Sequence, residues 1–178
     1  MNNGLAELVA PGTVRIERLL PGPIDRVWAY LTESDRRGRW LATGDMDLRV
    51  GGAVHLHWRH VDLSPDKAPA PERFRQYDDG VSMASRITRC KPPHVLAYTW
   101  GDESAEVLFE LSPRGEHVHL VVTHSGMPTH EGRTSVATGW HAHLAILLDV
   151  LEGRAPPNFW SLFGPLEGRC AERMRGEE

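Results

Sequence analysis

Alternation of apolar and polar side chains is the main pattern between residues 13 and 124, and it is typical of β-strands with one face in water. Residues 13–18 form the first such run. Residues 47–58 contain two more, joined by Gly51-Gly52, which suits a tight hairpin turn. The pattern predicts four further strands, at residues 81–90, 95–100, 105–111 and 117–124. The short connections between them favour an antiparallel meander.

Two short helices are predicted directly after the first strand. Residues 21–23, Pro-Gly-Pro, interrupt the alternation. Apolar side chains then recur at three- and four-residue steps, at Ile24, Val27, Trp28 and Leu31. Ser34 is placed to cap a second helix that extends to Arg39.

A long C-terminal helix is predicted over residues 133–152, where the apolar period changes from 2 to 3.6. Its apolar stripe consists of Val136, Trp140, Leu144, Leu147 and Leu151. Gly153 is placed to end the helix in a left-handed conformation. The stripe needs a partner, and the concave sheet face is the one available. We therefore expect an α+β fold in which a curved antiparallel sheet wraps around this helix.

Residues 62–79 break the regular pattern with Pro65, Pro69 and Pro71 among charged side chains. This composition indicates an irregular excursion that partly covers the mouth of a cavity, and not a second domain.

Composition and charge exclude several classes of function. The chain has 178 residues with 40% hydrophobic and 25% charged side chains, as expected for one globular domain. A net charge of −4 argues against nucleic-acid binding, and the basic cluster at residues 36–39 is interpreted as a solvated helix end. Cys90 and Cys170 suggest neither a disulfide framework nor a zinc ribbon. Without a leader-like or membrane-spanning segment, we expect a cytoplasmic protein with no membrane insertion.

Several short motifs occur along the chain in an order that is typical of one family. They are Pro23-x-x-x-Val27-Trp28-x-x-Leu31-Thr32, Trp40-Leu41, Val50-Gly51-Gly52, Pro92-Pro93, Tyr98-Thr99-Trp100, Thr123-His124-Ser125-Gly126 and Gly139-Trp140-x-x-x-Leu144. Together they resemble the bacterial relatives of the activator of heat-shock-protein-90 ATPase, in the START-like SRPBCC superfamily.

The resemblance implies a helix-grip fold over residues 13–153, with a hydrophobic pocket between the sheet and the long helix. Residues 154–178 then form a C-terminal helical extension. Members of the superfamily include lipid carriers, plant hormone receptors, aromatase/cyclases and co-chaperone domains, so the fold alone does not choose a function.

Ten histidines invite a metal-binding interpretation, but their positions disfavour it. His55 and His57 alternate with apolar side chains that need the buried face, and the same holds for His117 and His119. His141 and His143 lie two residues apart on a helix and face different directions. We expect no metal and no cofactor.

The candidate ligand-binding residues are those that the pattern places on the inner faces of the sheet and the long helix. They are Trp58, Met83, Tyr98, Trp100, Phe109, His124, Trp140, Leu144 and Leu148. Several of them also suit an ordinary core, and a change of strand register would turn Tyr98 and Trp100 outward.

His124 shares the strand face of Val118, Leu120 and Val122 and is the one polar candidate for the cavity. It could orient a ligand or act as a general base. The favoured alternative is a ring that bonds to nearby backbone at the end of the strand.

Three functional hypotheses follow. The leading one is binding of a small hydrophobic or amphipathic molecule, such as a lipid, between sheet and helix. The second is a co-chaperone-like protein-interaction module, by analogy with the family. The third is a cyclase or hydrolase that uses His124 in the same cavity, although no known catalytic motif stands out.

Apolar side chains are also concentrated after the long helix, at Phe159, Trp160, Leu162, Phe163 and Leu166, where Gly164-Pro165 interrupts the helical spacing. Two arrangements would cover them: a tail folded back on its own chain, or a two-fold contact with an identical tail. The homodimer through residues 157–174 is slightly favoured.

Overall fold

A single seven-stranded antiparallel sheet forms the body of the molecule in the computed structural model, which describes residues 4–176. The strands are β1 (Glu7–Ala10), β2 (Thr13–Pro21), β3 (Ala53–Trp58), β4 (Val81–Lys91), β5 (Val95–Trp100), β6 (Asp102–Arg114) and β7 (His117–Ser125). Their spatial order is β1-β2-β7-β6-β5-β4-β3. Strands β3 to β7 therefore form the predicted meander, and β2 joins it beside β7.

Four α-helices complete the fold: α1 (Ile24–Thr32), α2 (Ser34–Arg37), α3 (His130–Leu151) and α4 (Phe159–Arg173). Two short helices after the first long strand and one long helix over the sheet confirm the predicted α+β helix-grip fold. Helix α3 packs its apolar stripe against the sheet, with Trp140, Leu144 and Leu147 buried. It is followed by Gly153 with a φ of 74°, the left-handed conformation that the sequence predicted there.

Two strand predictions need correction. Strand β1 was not expected, because its four residues are mostly exposed and show no alternation. Residues 47–50 were expected to be a strand, but they form a turn in which Gly52 N–H donates to the Arg49 carbonyl. The strand was predicted because apolar and polar side chains alternate over these four residues, but so short a pattern also occurs in turns. Its apolar side chains, Leu48 and Val50, are exposed. Instead, Thr43 and Met46 form isolated bridges to β3.

The region around α2 also differs from the prediction. Ser34 does not cap this helix, because its hydroxyl accepts a hydrogen bond from the Gly44 N–H at 2.8 Å. Arg37 is not part of a solvated helix end, since its side chain is completely buried. It donates to the carbonyls of Ala42, Leu31, Thr32 and Gly44. These bonds tie the chain after α2 to the end of α1.

The C-terminal segment folds back on its own chain. Phe159, Phe163 and Cys170 of α4 are buried, and α4 runs along α3 without interruption at Pro165. The His130 ring in α3 donates from Nε2 to the Ala171 carbonyl at 2.7 Å. Of the apolar residues that motivated a dimer, Phe159 and Phe163 are thus buried within one chain, and Trp160, Leu162 and Leu166 are partly buried.

The excursion after β3 contains two short 3-10 helices, His60–Leu63 and Glu72–Tyr77, which lie near α4. Asn158 joins the two segments by donating from its side-chain amide to the carbonyls of Asp66 and Ala68. Within residues 4–176, no helix is long and apolar enough to cross a membrane.

Candidate functional site

A cavity of about 640 Å³ lies between the β3–β4–β5 end of the sheet, helix α3 and helix α4. Its lining is mostly apolar and aromatic. The lining residues are Leu41, Trp58, His60, Phe74, Tyr77, Val81, Ser82, Met83, Trp100, Glu131, Ser135, Val136, Gly139, Trp140, His143, Phe159, Trp160 and Phe163. Its volume falls within the range of about 300–1,000 Å³ that is typical of small-molecule sites.

A chain of aromatic contacts runs around this cavity. On the sheet side, the ring centroids of Trp58 and Trp100 lie 5.4 Å apart, and Trp100 lies 5.6 Å from Trp140 of α3. On the α4 side, Phe74 stacks on Trp160 at 4.8 Å with an interplanar angle of 15°. Because aromatic rings stack on planar groups, these walls suit a flat apolar molecule.

Two histidines supply the polar atoms of the inner cavity. The ring of His143 lies 5.5 Å from that of His60, and His60 lies 4.2 Å from Phe159. Burial, with the neighbouring His60, lowers the pKa of His143 to about 3. Burial also lowers the pKa of His60 to about 4, against the opposing effect of Asp78. Both rings are therefore neutral at pH 7.

Four of the nine candidate residues line this cavity: Trp58, Met83, Trp100 and Trp140. The other five belong to the core around it. Tyr98, Phe109 and Leu144 are completely buried, and Leu148 is half-buried on α3 away from the cavity. Tyr98 and Trp100 both face inward, so the alternative register does not occur.

His124 lies behind the cavity wall, with 1% of its surface exposed. Its Nδ1 accepts a hydrogen bond from Trp140 Nε1 at 3.0 Å, whereas a bond to backbone was the favoured expectation. Since Nδ1 accepts, the proton of the neutral ring is on Nε2, which is buried without a hydrogen-bond partner. Burial lowers the pKa of His124 to about 4, and Trp100 covers the ring edge-on at 5.0 Å.

Sequence reasoning missed the side of the cavity formed by α4 and the excursion. His60 and Phe74 come from the irregular segment, and Phe159, Trp160 and Phe163 come from the tail. The concentration of aromatic residues in the tail was the signal that could have found part of this wall.

His143 was weighed only as a zinc ligand. Within the described part of the chain, no group of three or more histidine, cysteine, aspartate or glutamate side chains could hold a metal ion. What the site offers chemically is a largely aromatic lining with two neutral imidazoles.

Comparison with known proteins identifies the family. The model of the family described as "Activator of Hsp90 ATPase homolog 1-like protein" matches residues 21–152. A Bordetella parapertussis protein with a solution NMR structure is 43% identical, with 97% of this chain and 91% of that chain covered and a TM-score of 0.80. No curated protein matches the chain.

Two further solved structures share the fold at lower identity. CalU16 from Micromonospora echinospora is 23% identical, with 97% of each chain covered and a TM-score of 0.68. DynU16, from the dynemicin biosynthetic locus, is 22% identical, with 83% of this chain and 49% of that chain covered and a TM-score of 0.61.

The sheet, the long helix and the cavity between them define a helix-grip protein of the SRPBCC superfamily, whose fold is generally a ligand-binding one. The chain belongs to the Activator of Hsp90 ATPase homolog 1-like family.

Proposed function

We propose that this protein binds a small, largely apolar molecule in the cavity between β3, β4, β5, α3 and α4. The observation that carries the proposal is the cavity of about 640 Å³, which opens to solvent and is lined largely by aromatic side chains. Filling it with an apolar molecule removes both surfaces from water, at roughly 25 cal/mol per Å² of apolar area. DynU16, which shares the fold, belongs to a biosynthetic locus, and this supports a small-molecule role.

The other two hypotheses have less support. An enzyme that uses His124 would need a base in contact with its substrate, but His124 is sealed behind Trp100 and Trp140, and its low pKa makes it a weak base. A co-chaperone role is supported only by the name of the family. Among the described residues, no surface feature indicates a protein partner.

We also propose that α4 acts as a wall of the cavity within one chain and not as a dimer contact. Its buried residues Phe159 and Phe163 face α3 and the excursion, so no large apolar patch of α4 needs a second copy. We expect the full chain to sediment as a monomer at micromolar concentration. A stable dimer of the full chain would contradict this.

Gly139 provides a test of the cavity, because it lines the cavity from α3. No heavy atom outside its own helical neighbourhood lies within 4 Å of the position that a Cβ would take. The Cβ of a Gly139→Leu side chain would therefore meet no neighbour, and the rest of the side chain would extend into the cavity. We expect at least a tenfold loss of affinity for 2-methylnaphthalene in calorimetry, while the fold gains about 0.5–1 kcal/mol from the better helix former.

Gly168→Leu is the matched control, since Gly168 is an exposed glycine in α4 with equally open surroundings. It should leave binding unchanged. Native mass spectrometry of the unmodified protein would identify any molecule that co-purifies. If Gly139→Leu and the unmodified protein bind the probe equally, or neither binds it, this cavity is not the binding site.

A further inference from the structure

Nε2 of His143 is a hydrogen-bond acceptor in the cavity that no other described residue uses. We propose that the ligand is an uncharged planar aromatic molecule with a hydroxyl group, and that this hydroxyl donates a hydrogen bond to His143 Nε2. The inference rests on the proposed function, because it assigns a ligand class to the same cavity.

The hydrogen bond on the other side of the ring fixes the role of Nε2. His143 Nδ1 lies 2.8 Å from the Trp40 carbonyl oxygen, which can only accept, so Nδ1 carries the proton. The ring is neutral at pH 7, so Nε2 keeps its lone pair and can only accept a hydrogen bond.

The described residues do not satisfy this acceptor. No hydrogen bond joins His143 Nε2 to another of the described residues, although the side chain is 93% removed from solvent. The ring lines the cavity, so a bound molecule can reach it. A ligand that covers Nε2 without donating to it would take this acceptor out of water unpaired, at a cost in free energy, so a ligand that supplies a donor gains over one that does not.

The charge of the lining distinguishes a hydroxyl from a carboxylate. Among the described residues that line the cavity there is no lysine or arginine, and the one carboxyl side chain is that of Glu131. A fatty-acid carboxylate or a lipid phosphate would enter without a counter-ion and would face the lone pair of Nε2. A neutral hydroxyl avoids both costs.

His60 makes a hydroxyl more suitable than an N–H donor. Its ring lies beside that of His143, and neither of its nitrogens is hydrogen-bonded to another described residue. A neutral imidazole offers one N–H donor. A hydroxyl can donate to His143 and accept from His60, whereas an indole or amide N–H can only donate.

Three naphthalene probes of similar size test the proposal by calorimetry: 2-naphthol, 2-methylnaphthalene and 2-naphthoate at pH 7. We expect 2-naphthol to bind about tenfold more tightly than 2-methylnaphthalene, as one added hydrogen bond to a buried acceptor implies. The carboxylate should bind more weakly than either. Equal affinity for 2-naphthol and 2-methylnaphthalene would overturn the hydroxyl assignment and leave the proposed cavity intact. Binding of none of the probes would instead count against the cavity itself.

Two variants locate the effect at Nε2. His143→Phe keeps a ring and removes both nitrogens. His143→Asn removes Nε2 and leaves an amide that can still donate to the Trp40 carbonyl, which protects the fold. Both should abolish the preference for 2-naphthol and keep the affinity for 2-methylnaphthalene within about threefold.

His117→Phe is the matched control, because His117 is an exposed histidine of β7 outside the cavity. It should retain the full preference. If the preference survives in both folded His143 variants, Nε2 is not the acceptor and the assignment is wrong.

Discussion

At the scale of single residues, Arg37 shows how this fold uses a buried charge. Its guanidinium has no carboxylate of residues 4–176 within hydrogen-bond distance and instead donates to four carbonyl oxygens at the end of α1 and after α2. Burial lowers its pKa, with Tyr98 and Asp45 opposing that change. Five N–H donors in a fixed plane suit this task, and no other side chain can satisfy so many carbonyls.

Replacing Arg37 should therefore be costly. We expect Arg37→Met to lower the free energy of unfolding by about 3 kcal/mol, because it leaves buried carbonyls without donors. Urea denaturation followed by circular dichroism would measure the change.

The neighbouring Arg36 provides the control. It is half-exposed and pairs with Glu33 at 2.8 Å. Arg36→Met should cost under about 1 kcal/mol, as for a surface ion pair. If the two variants lost equal free energy of unfolding, the buried hydrogen bonds of Arg37 would contribute no more to stability than a surface ion pair does.

At the scale of elements, α4 adds the outer wall of the cavity and is held mainly by its aromatic residues. The Phe163 ring lies 5.4 Å from Phe74 in the excursion and 5.8 Å from Phe159. We expect Phe163→Ala to cost about 3 kcal/mol and to weaken binding of 2-methylnaphthalene, since the wall loses a ring. Leu166→Ala, at a half-buried position of the same helix, should cost under half as much. Unchanged stability of Phe163→Ala would mean that α4 is not docked as described.

The sequence was informative for elements whose burial follows a regular period. Strands β6 and β7 and helix α3 were predicted because buried side chains recur in each of them at a regular period. Strand β1 lies at the sheet edge and buries too little to show alternation. The outer wall of the cavity could not be predicted, because His60 and Phe74 belong to irregular chain and meet Phe159 and Trp160 only after α4 folds back.

At the scale of the whole molecule, buried histidines tie stability to pH. Burial lowers the pKa of His124 and His141 to about 4 and that of His143 to about 3, and His60 also lies near 4. The fold imposes this by enclosing the rings. His141, for example, accepts a hydrogen bond from the Ala6 N–H at 2.9 Å and lies beside Arg18.

Below pH 6.5 an unfolded histidine binds a proton that these folded rings do not. The free energy of unfolding should therefore be level above about pH 7 and should fall as the pH drops from about 6.5 towards 4. Each ring contributes up to about 1.4 kcal/mol per pH unit in that window. Urea titrations at pH 8, 7, 6 and 5 would measure the slope.

His124→Asn should make that slope shallower, since an amide oxygen can take the place of Nδ1 as acceptor for Trp140 without taking up a proton. Stability that is the same at pH 7 and pH 5 in the unmodified protein would contradict the assignment of neutral buried rings.

The aromatic lining has one more consequence, for how ligands can be found. Four of the six tryptophans, Trp58, Trp100, Trp140 and Trp160, stand in the cavity wall. Most of the intrinsic fluorophores therefore surround the place where a ligand would lie. A molecule that absorbs in the near ultraviolet should quench their emission by energy transfer, so the unlabelled protein can report its own occupancy in a screen of natural extracts.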